Sequence, residues 1–138
     1  MGARRKGREL AVQMLYQWDV GRAPVEDVIA STADLQSAGD AARALASQLL
    51  EGAVDRVEEI DGILAEHSDN WRLGRMSTVD RNILRLAVYE LLSKTTPPSV
   101  VINEALEITK RFSTKESTAF VNGVLDGVNA SIEAKTGE

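Results

Sequence analysis

Four of the first eight residues are basic: Arg4, Arg5, Lys6 and Arg8, with no acid among them. Clustered guanidinium and ammonium groups neutralise phosphates and release condensed counterions, so the chemistry on offer is polyanion binding. The chain as a whole points the other way, with 16 Lys+Arg against 21 Asp+Glu and a net charge of −5. A body this acidic repels nucleic acid on average, so any contact must be local and start at the basic arm. The same residues also read as a solvated tail, and charge alone leaves both readings open.

Constellations for catalysis are missing from the sequence. It has no Gly-rich phosphate loop, no paired His/carboxylate spacing and no nucleophile elbow. It has no cysteine, which excludes a disulfide, a thiol nucleophile and a Cys-based zinc site. His67 is the single histidine, without a second His or Cys near it, so a helix-end or partly buried role is expected rather than a metal role. Asp80, Glu90, Glu104 and Asp126 fall in helical patterns where caps and surface pairs account for carboxylates. The expectation is a binding module, not an enzyme, with no cofactor and no metal.

A length of 138 residues suits one domain, spanning 1–138, with a substantial core. An apolar fraction of 43% with 27% charged residues is ordinary for a soluble globular chain. No apolar run approaches the roughly 18 residues of a membrane span. Gln13, Gln17 and Asp19 interrupt the stretch behind the basic arm, so it is no secretory signal. A cytoplasmic protein without membrane association is expected.

The elements that must carry these residues read as helices. From Arg8 to Val20, Leu10, Ala11, Met14, Leu15 and Trp18 form one apolar face. Arg5, Val12 and Tyr16 share the opposite face, flanked by Arg8 and Gln13. Gly21 is expected to stop this helix, and Pro24 to open a short second one through Val25, Val28, Ile29 and Ala33. Ser37–Gly39 reads as a loop and Asp40 as an N-cap. The stripe from Leu45 to His67 is too long for one helix, and a break is expected near Val57–Asp61.

Ser77-x-x-Asp80 is a capping-box variant opening a helix that runs to about Ser93. That helix is apolar nearly all round, which marks a central one, and its remaining polar strip is Asp80, Arg81, Arg85 and Tyr89. After the turn at Pro97 and Pro98, a helix from about Ser99 to Phe112 puts Val101, Ile102, Ala105, Leu106, Ile108, Thr109 and Phe112 inside. Glu107 and Arg111 form its outer i,i+4 pair. Ser113-x-x-Glu116 reads as a second capping box. It starts the last helix, with Phe120, Val121, Val124, Leu125, Val128 and Ile132 as its stripe. Gly123 and Gly127, four apart, would admit a close neighbour, and a polar tail begins near residue 131. Phe120 opens an apolar stripe, which suits a core residue, and it also sits one turn after a cap, which suits an exposed stacking ring.

Three stretches in this order resemble the NusB family of transcription antitermination factors. They are Val79-Asp80-Arg81-Asn82-Ile83-Leu84-Arg85-Leu86-Ala87-Val88-Tyr89-Glu90-Leu91, Val101-Ile102-Asn103-Glu104-Ala105-Leu106-Glu107, and Phe120-Val121-Asn122-Gly123-Val124-Leu125-Asp126. The opening Ala3-Arg4-Arg5-Lys6-Gly7-Arg8-Glu9, followed by Ala11-Val12-Gln13 and Leu15-Tyr16, is similar to the family's Arg-rich start. Residues 21–75 match only in helical pattern.

The resemblance implies an all-α fold of about seven helices in two three-helix subdomains packed side by side. The basic arm would be residues 1–8 and the tail about 131–138. It implies no enzyme activity. It implies binding of single-stranded boxA-type RNA together with NusE, also a small-subunit ribosomal protein, within an RNA polymerase antitermination complex that reads through ribosomal RNA operons. By position, Arg4, Arg5, Lys6, Arg8 and Gln13 would meet RNA, as would Lys115, Glu116, Ser117 and Phe120. Tyr16, Asp80, Arg81 and Arg85 would meet NusE. Glu116 departs from the aspartate of well-known members, and Gly7 departs from helix-favouring residues, which implies a more flexible arm. Two other readings fit the same residues: a helical protein–protein adaptor without RNA binding, and the RNA-binding domain of a ribosomal RNA methyltransferase.

Overall fold

The computed structural model describes residues 2–68 and 76–136, and these contain eight α-helices and no strand. Positions 69–75, and positions 137 and 138 of the expected tail, lie outside the described residues. The helices are α1 (Ala3–Gly21), α2 (Val25–Ser31), α3 (Ala33–Gln36), α4 (Asp40–Asp55), α5 (Val57–His67), α6 (Thr78–Ser93), α7 (Pro98–Phe112) and α8 (Lys115–Thr136). The chain divides into two compact units, Met1–Asp55 and Arg56–Glu138. None of the described helices is long and apolar enough to cross a membrane.

In the first unit α1 packs chiefly on α4, with α2 against both. The expected stripe of Leu10, Ala11, Met14, Leu15 and Trp18 is buried. Val12, expected on the opposite face, is buried as well, because a helix packed by two others loses more than one stripe to the interior. The basic arm is not a tail preceding the helix: α1 already starts at Ala3. It ends at Gly21 as expected, but the left-handed cap falls on the next residue. Arg22 takes the left-handed cap at φ 55°, its N–H donating to the Trp18 carbonyl at 2.7 Å. The guanidinium stacks 4.3 Å over the Trp18 ring, and that contact accompanies a conformation usually left to glycine.

Gly7 is a packing residue rather than a source of arm flexibility. A Cβ there would lie 3.0 Å from Leu45 Cδ2 and 3.1 Å from the Ala42 carbonyl oxygen. The missing side chain lets α1 approach the backbone of α4. Gly7→Val should therefore destabilise the protein by about 1–3 kcal/mol through overpacking, although valine is the better helix former. Urea melts check this, and a variant as stable as the wild type would show that α4 yields.

In the second unit α6 is central, packing on α5, α7 and α8, and every residue from Asp80 to Val88 is buried. The expected break in the long helical stretch comes at Arg56, just before the predicted Val57–Asp61. Arg56 donates to both Glu59 carboxylate oxygens at 2.9 and 3.0 Å, and this pairing holds the Glu59 carboxyl below the usual range. His67 ends α5, half-buried, with Nδ1 positioned 3.3 Å from where a Cβ on Gly127 would stand. Gly123, expected to share that role, faces open space. Helix α8 continues to Thr136 instead of fraying at Ser131.

Candidate nucleic-acid interface

The sequence-assigned residues fall on two units. On the first, the opening turns of α1 carry Arg4, Arg5, Lys6 and Arg8 around a helix start with no acidic residue and no side-chain cap. The partial positive charge of that helix end adds to the cationic side chains and favours an anion. Arg4 and Lys6 are exposed, Arg5 is half-buried, and Arg8 is only 5% exposed. Expected phosphate contacts therefore divide into two open cations, one partly open and one enclosed. Gln13 is exposed, and its Nε2 donates to Asp34 at 3.3 Å. Tyr16 is 42% exposed, on the polar side of α1 as its phase requires. Val20, one turn further, is also open to solvent.

The second unit departs most from the expected picture. Asp80, Arg81 and Arg85 do not form an open polar strip; all three are buried. Arg85 is 1% exposed, and its Nε and Nη2 donate to the two Asp61 carboxylate oxygens at 2.9 and 2.8 Å, while Nη1 donates to Asn82 Oδ1 at 3.2 Å. The facing carboxylate comes from α5, so a strip that looks solvated in the helical phase of α6 is an inter-helix ion pair. This bidentate geometry ties α5 to α6.

Asp80 occupies the third position of α6. Ser77 caps the helix as expected, its Oγ accepting from the Asp80 N–H at 3.1 Å. The Asp80 carboxylate, however, looks across to the α7–α8 turn, where it accepts from Ser113 Oγ and Ser117 Oγ, each at 2.6 Å. Ser113 therefore does not head a capping box with Glu116. The cap of α8 is Thr114, whose Oγ1 accepts from the Ser117 N–H at 3.1 Å. The motif is displaced by one residue because the Ser113 hydroxyl is committed to Asp80.

Lys115 and Glu116 are exposed at the start of α8, and Ser117 and Phe120 are half-buried. These four stand on its first two turns, the arrangement their spacing predicts. Phe120 takes the intermediate position between core and open surface. Phe112, expected inside, is 48% exposed: its phase is that of the inner face, but as the last residue of α7 it stands where the chain leaves the helix. The Arg111 guanidinium lies 5.1 Å from its ring centre. Lys110 Nζ lies 3.4 Å from Glu107 Oε1, an i,i+3 pair on the same helix. No sequence signal pointed to Asp61 or Ser113 as partners of α6, since those contacts join segments far apart in the chain, whereas the Thr114 cap reaches only three residues on to Ser117.

Comparison with known proteins covers nearly all of this chain. Residues 5–130 match the NusB family. The transcription antitermination protein NusB of Geobacter sulfurreducens is 44% identical over 137 residues, covering 98% of this chain and 99% of that protein. Its counterpart in Koribacter versatilis is 46% identical over 136 residues, covering 97% and 93%. Among solved structures, T. maritima NusB superposes with a TM-score of 0.82 at 36% identity, covering 92% of this chain and 90% of that one. A crystal structure of the antitermination factors NusB and NusE in complex with dsRNA superposes with a TM-score of 0.85 at 29% identity, covering 95% and 98%.

Proposed function

Since the chain belongs to the NusB family, we propose that it binds boxA-type nascent RNA together with NusE and promotes transcriptional read-through in ribosomal RNA operons. The observation that carries this is the family match across residues 5–130, reaching from the basic start of α1 into the last helix. It runs through both compact units, which supports reading 1–138 as one RNA-binding domain. The protein is a non-enzymatic factor that joins an RNA polymerase antitermination complex. Acting on nascent RNA places its work in the cytoplasm.

The residue roles are those the family resemblance implies, adjusted for exposure. Arg4, Arg5 and Lys6 track RNA phosphates from the start of α1, with Gln13 beside them; Arg8, enclosed at the same helix start, shapes that turn more than it reaches outward. Lys115, Glu116, Ser117 and Phe120 form the second contact region, where a half-open ring can take a base. Tyr16 is the open aromatic of the NusE surface. Arg81 and Arg85 are buried, and Arg85 serves within the second unit by tying α5 to α6.

Three open or partly open cations in the arm imply about three phosphate contacts and a slope of log K against log[salt] near −2. Binding should weaken on the order of 20-fold between about 50 and 200 mM salt. Replacing Arg4, Arg5 and Lys6 by alanine should flatten most of that slope and leave helix content unchanged. Titrations of boxA-type RNA at several salt concentrations test this, with and without NusE. A slope untouched in the triple variant would place the phosphate contacts elsewhere, and absence of RNA binding in both settings would favour the adaptor reading.

A further inference from the structure

We infer that Asp80 is a positioning residue for the α7–α8 turn, holding Ser117 so that it meets RNA only as a hydrogen-bond acceptor. This rests on the reading of that turn as an RNA contact. The geometry is that of a lock. Asp80 is 6% exposed and its backbone is fixed by the Ser77 cap. Its two carboxylate oxygens each take a serine hydroxyl at 2.6 Å, the short range of a charge-assisted bond. One serine ends α7 and the other lies in the first turn of α8, so a single carboxylate pins both sides of the turn to the start of α6.

The directions of these bonds are determined. An ionised carboxylate only accepts, so Ser113 and Ser117 both donate to it. Thr114 Oγ1 and Ser117 Oγ are 3.0 Å apart, and either could donate in isolation. With the one Ser117 proton given to Asp80, Thr114 must be the donor. The Ser117 N–H in turn donates to Thr114 Oγ1. The result is a closed set in which Ser117 Oγ keeps one lone pair and no free proton. The RNA groups that complement it are donors, a ribose 2′-hydroxyl or an exocyclic base amine. Phosphate oxygens, which only accept, are left to Lys115 beside it. The turn thereby offers a contact that a 2′-hydroxyl can satisfy and a deoxyribose cannot.

Asp80→Asn tests this with little change of shape. Its amide oxygen can accept one serine, while its NH2 forces the other to accept, freeing a hydroxyl proton. Two measurements are made on the full chain: amide hydrogen exchange across Lys115–Phe120 in the free protein, and titration with boxA-type RNA, with Lys115→Ala as a reference for the turn. Faster exchange confined to that segment is expected. RNA affinity should fall about tenfold, the scale of one charge-assisted hydrogen bond, and Ser113→Ala should reproduce part of both effects. Unchanged exchange in Asp80→Asn, or a rise spread evenly over α5–α8, would overturn the positioning role whatever the RNA result. Local loosening with normal affinity in Asp80→Asn but weakened affinity in Lys115→Ala would also overturn it. Normal affinity in both variants would instead remove the turn from the RNA site, and the inference with it.

Discussion

Arg85→Glu should destabilise the protein by about 3–5 kcal/mol, a large share of a typical domain's total stability. The substitution removes a buried guanidinium and sets a second carboxylate against Asp61, while Asn82 Oδ1 loses the hydrogen bond from Arg85. Helical phase alone predicts the opposite, that charge reversal on a polar strip is harmless. Arg85→Met should cost less, because it keeps most of the volume and because Asp61, 29% exposed, can recover some hydration. Adding Asp61→Asn to Arg85→Met should recover part of the remaining loss, since no unpaired charge is left at the α5–α6 contact. Urea denaturation of the three variants decides the point. A midpoint for Arg85→Glu close to that of the wild type would mean that the pair contributes little and that the side chain finds water.

Phe120→Ala should show two separable losses. The ring is half-buried, so its removal should cost about 2 kcal/mol of stability, below the 3–5 kcal/mol typical of a fully buried phenylalanine. Affinity for boxA-type RNA should fall by a further amount of about 1–3 kcal/mol, the scale of one base stacked on an aromatic ring. Phe120→Leu separates the two, because leucine fills the packed side of the site but offers no ring to a base. It should melt near the wild-type temperature and still bind RNA weakly. Normal affinity in Phe120→Leu would assign the residue to packing alone.

Much of the fold is legible in the residues themselves. The stripe of Leu10, Met14, Leu15 and Trp18, the central position of α6 and the cap at Ser77 follow from local patterns. Helix periodicity is a short-range property, and each residue reports its face through neighbours three and four positions away. The exposed side of the candidate interface was legible in the same way: Arg4 and Lys6 in the arm, Tyr16 on the polar side of α1, and Lys115 and Glu116 at a helix start.

What lay beyond reach was the identity of the group that covers each polar face. Arg85 and Asp61 are 24 residues apart, and Asp80 lies 33 and 37 residues from Ser113 and Ser117. A charged strip has the same helical phase whether water or another helix's carboxylate lies over it, so phase could not tell a partner surface from an internal ion pair. Gly7 shows the same division. Its lack of a side chain suggests freedom locally, and only the approach of Ala42 and Leu45 makes it a site of contact. Sequence by itself determined most of the helices and the cationic start of α1, because these rest on composition and short spacing, and the family through the resemblance of its quoted stretches. Tertiary structure alone decided which charges are spent inside the protein and which remain open to solvent, because burial and pairing depend on segments that meet only when the chain has folded.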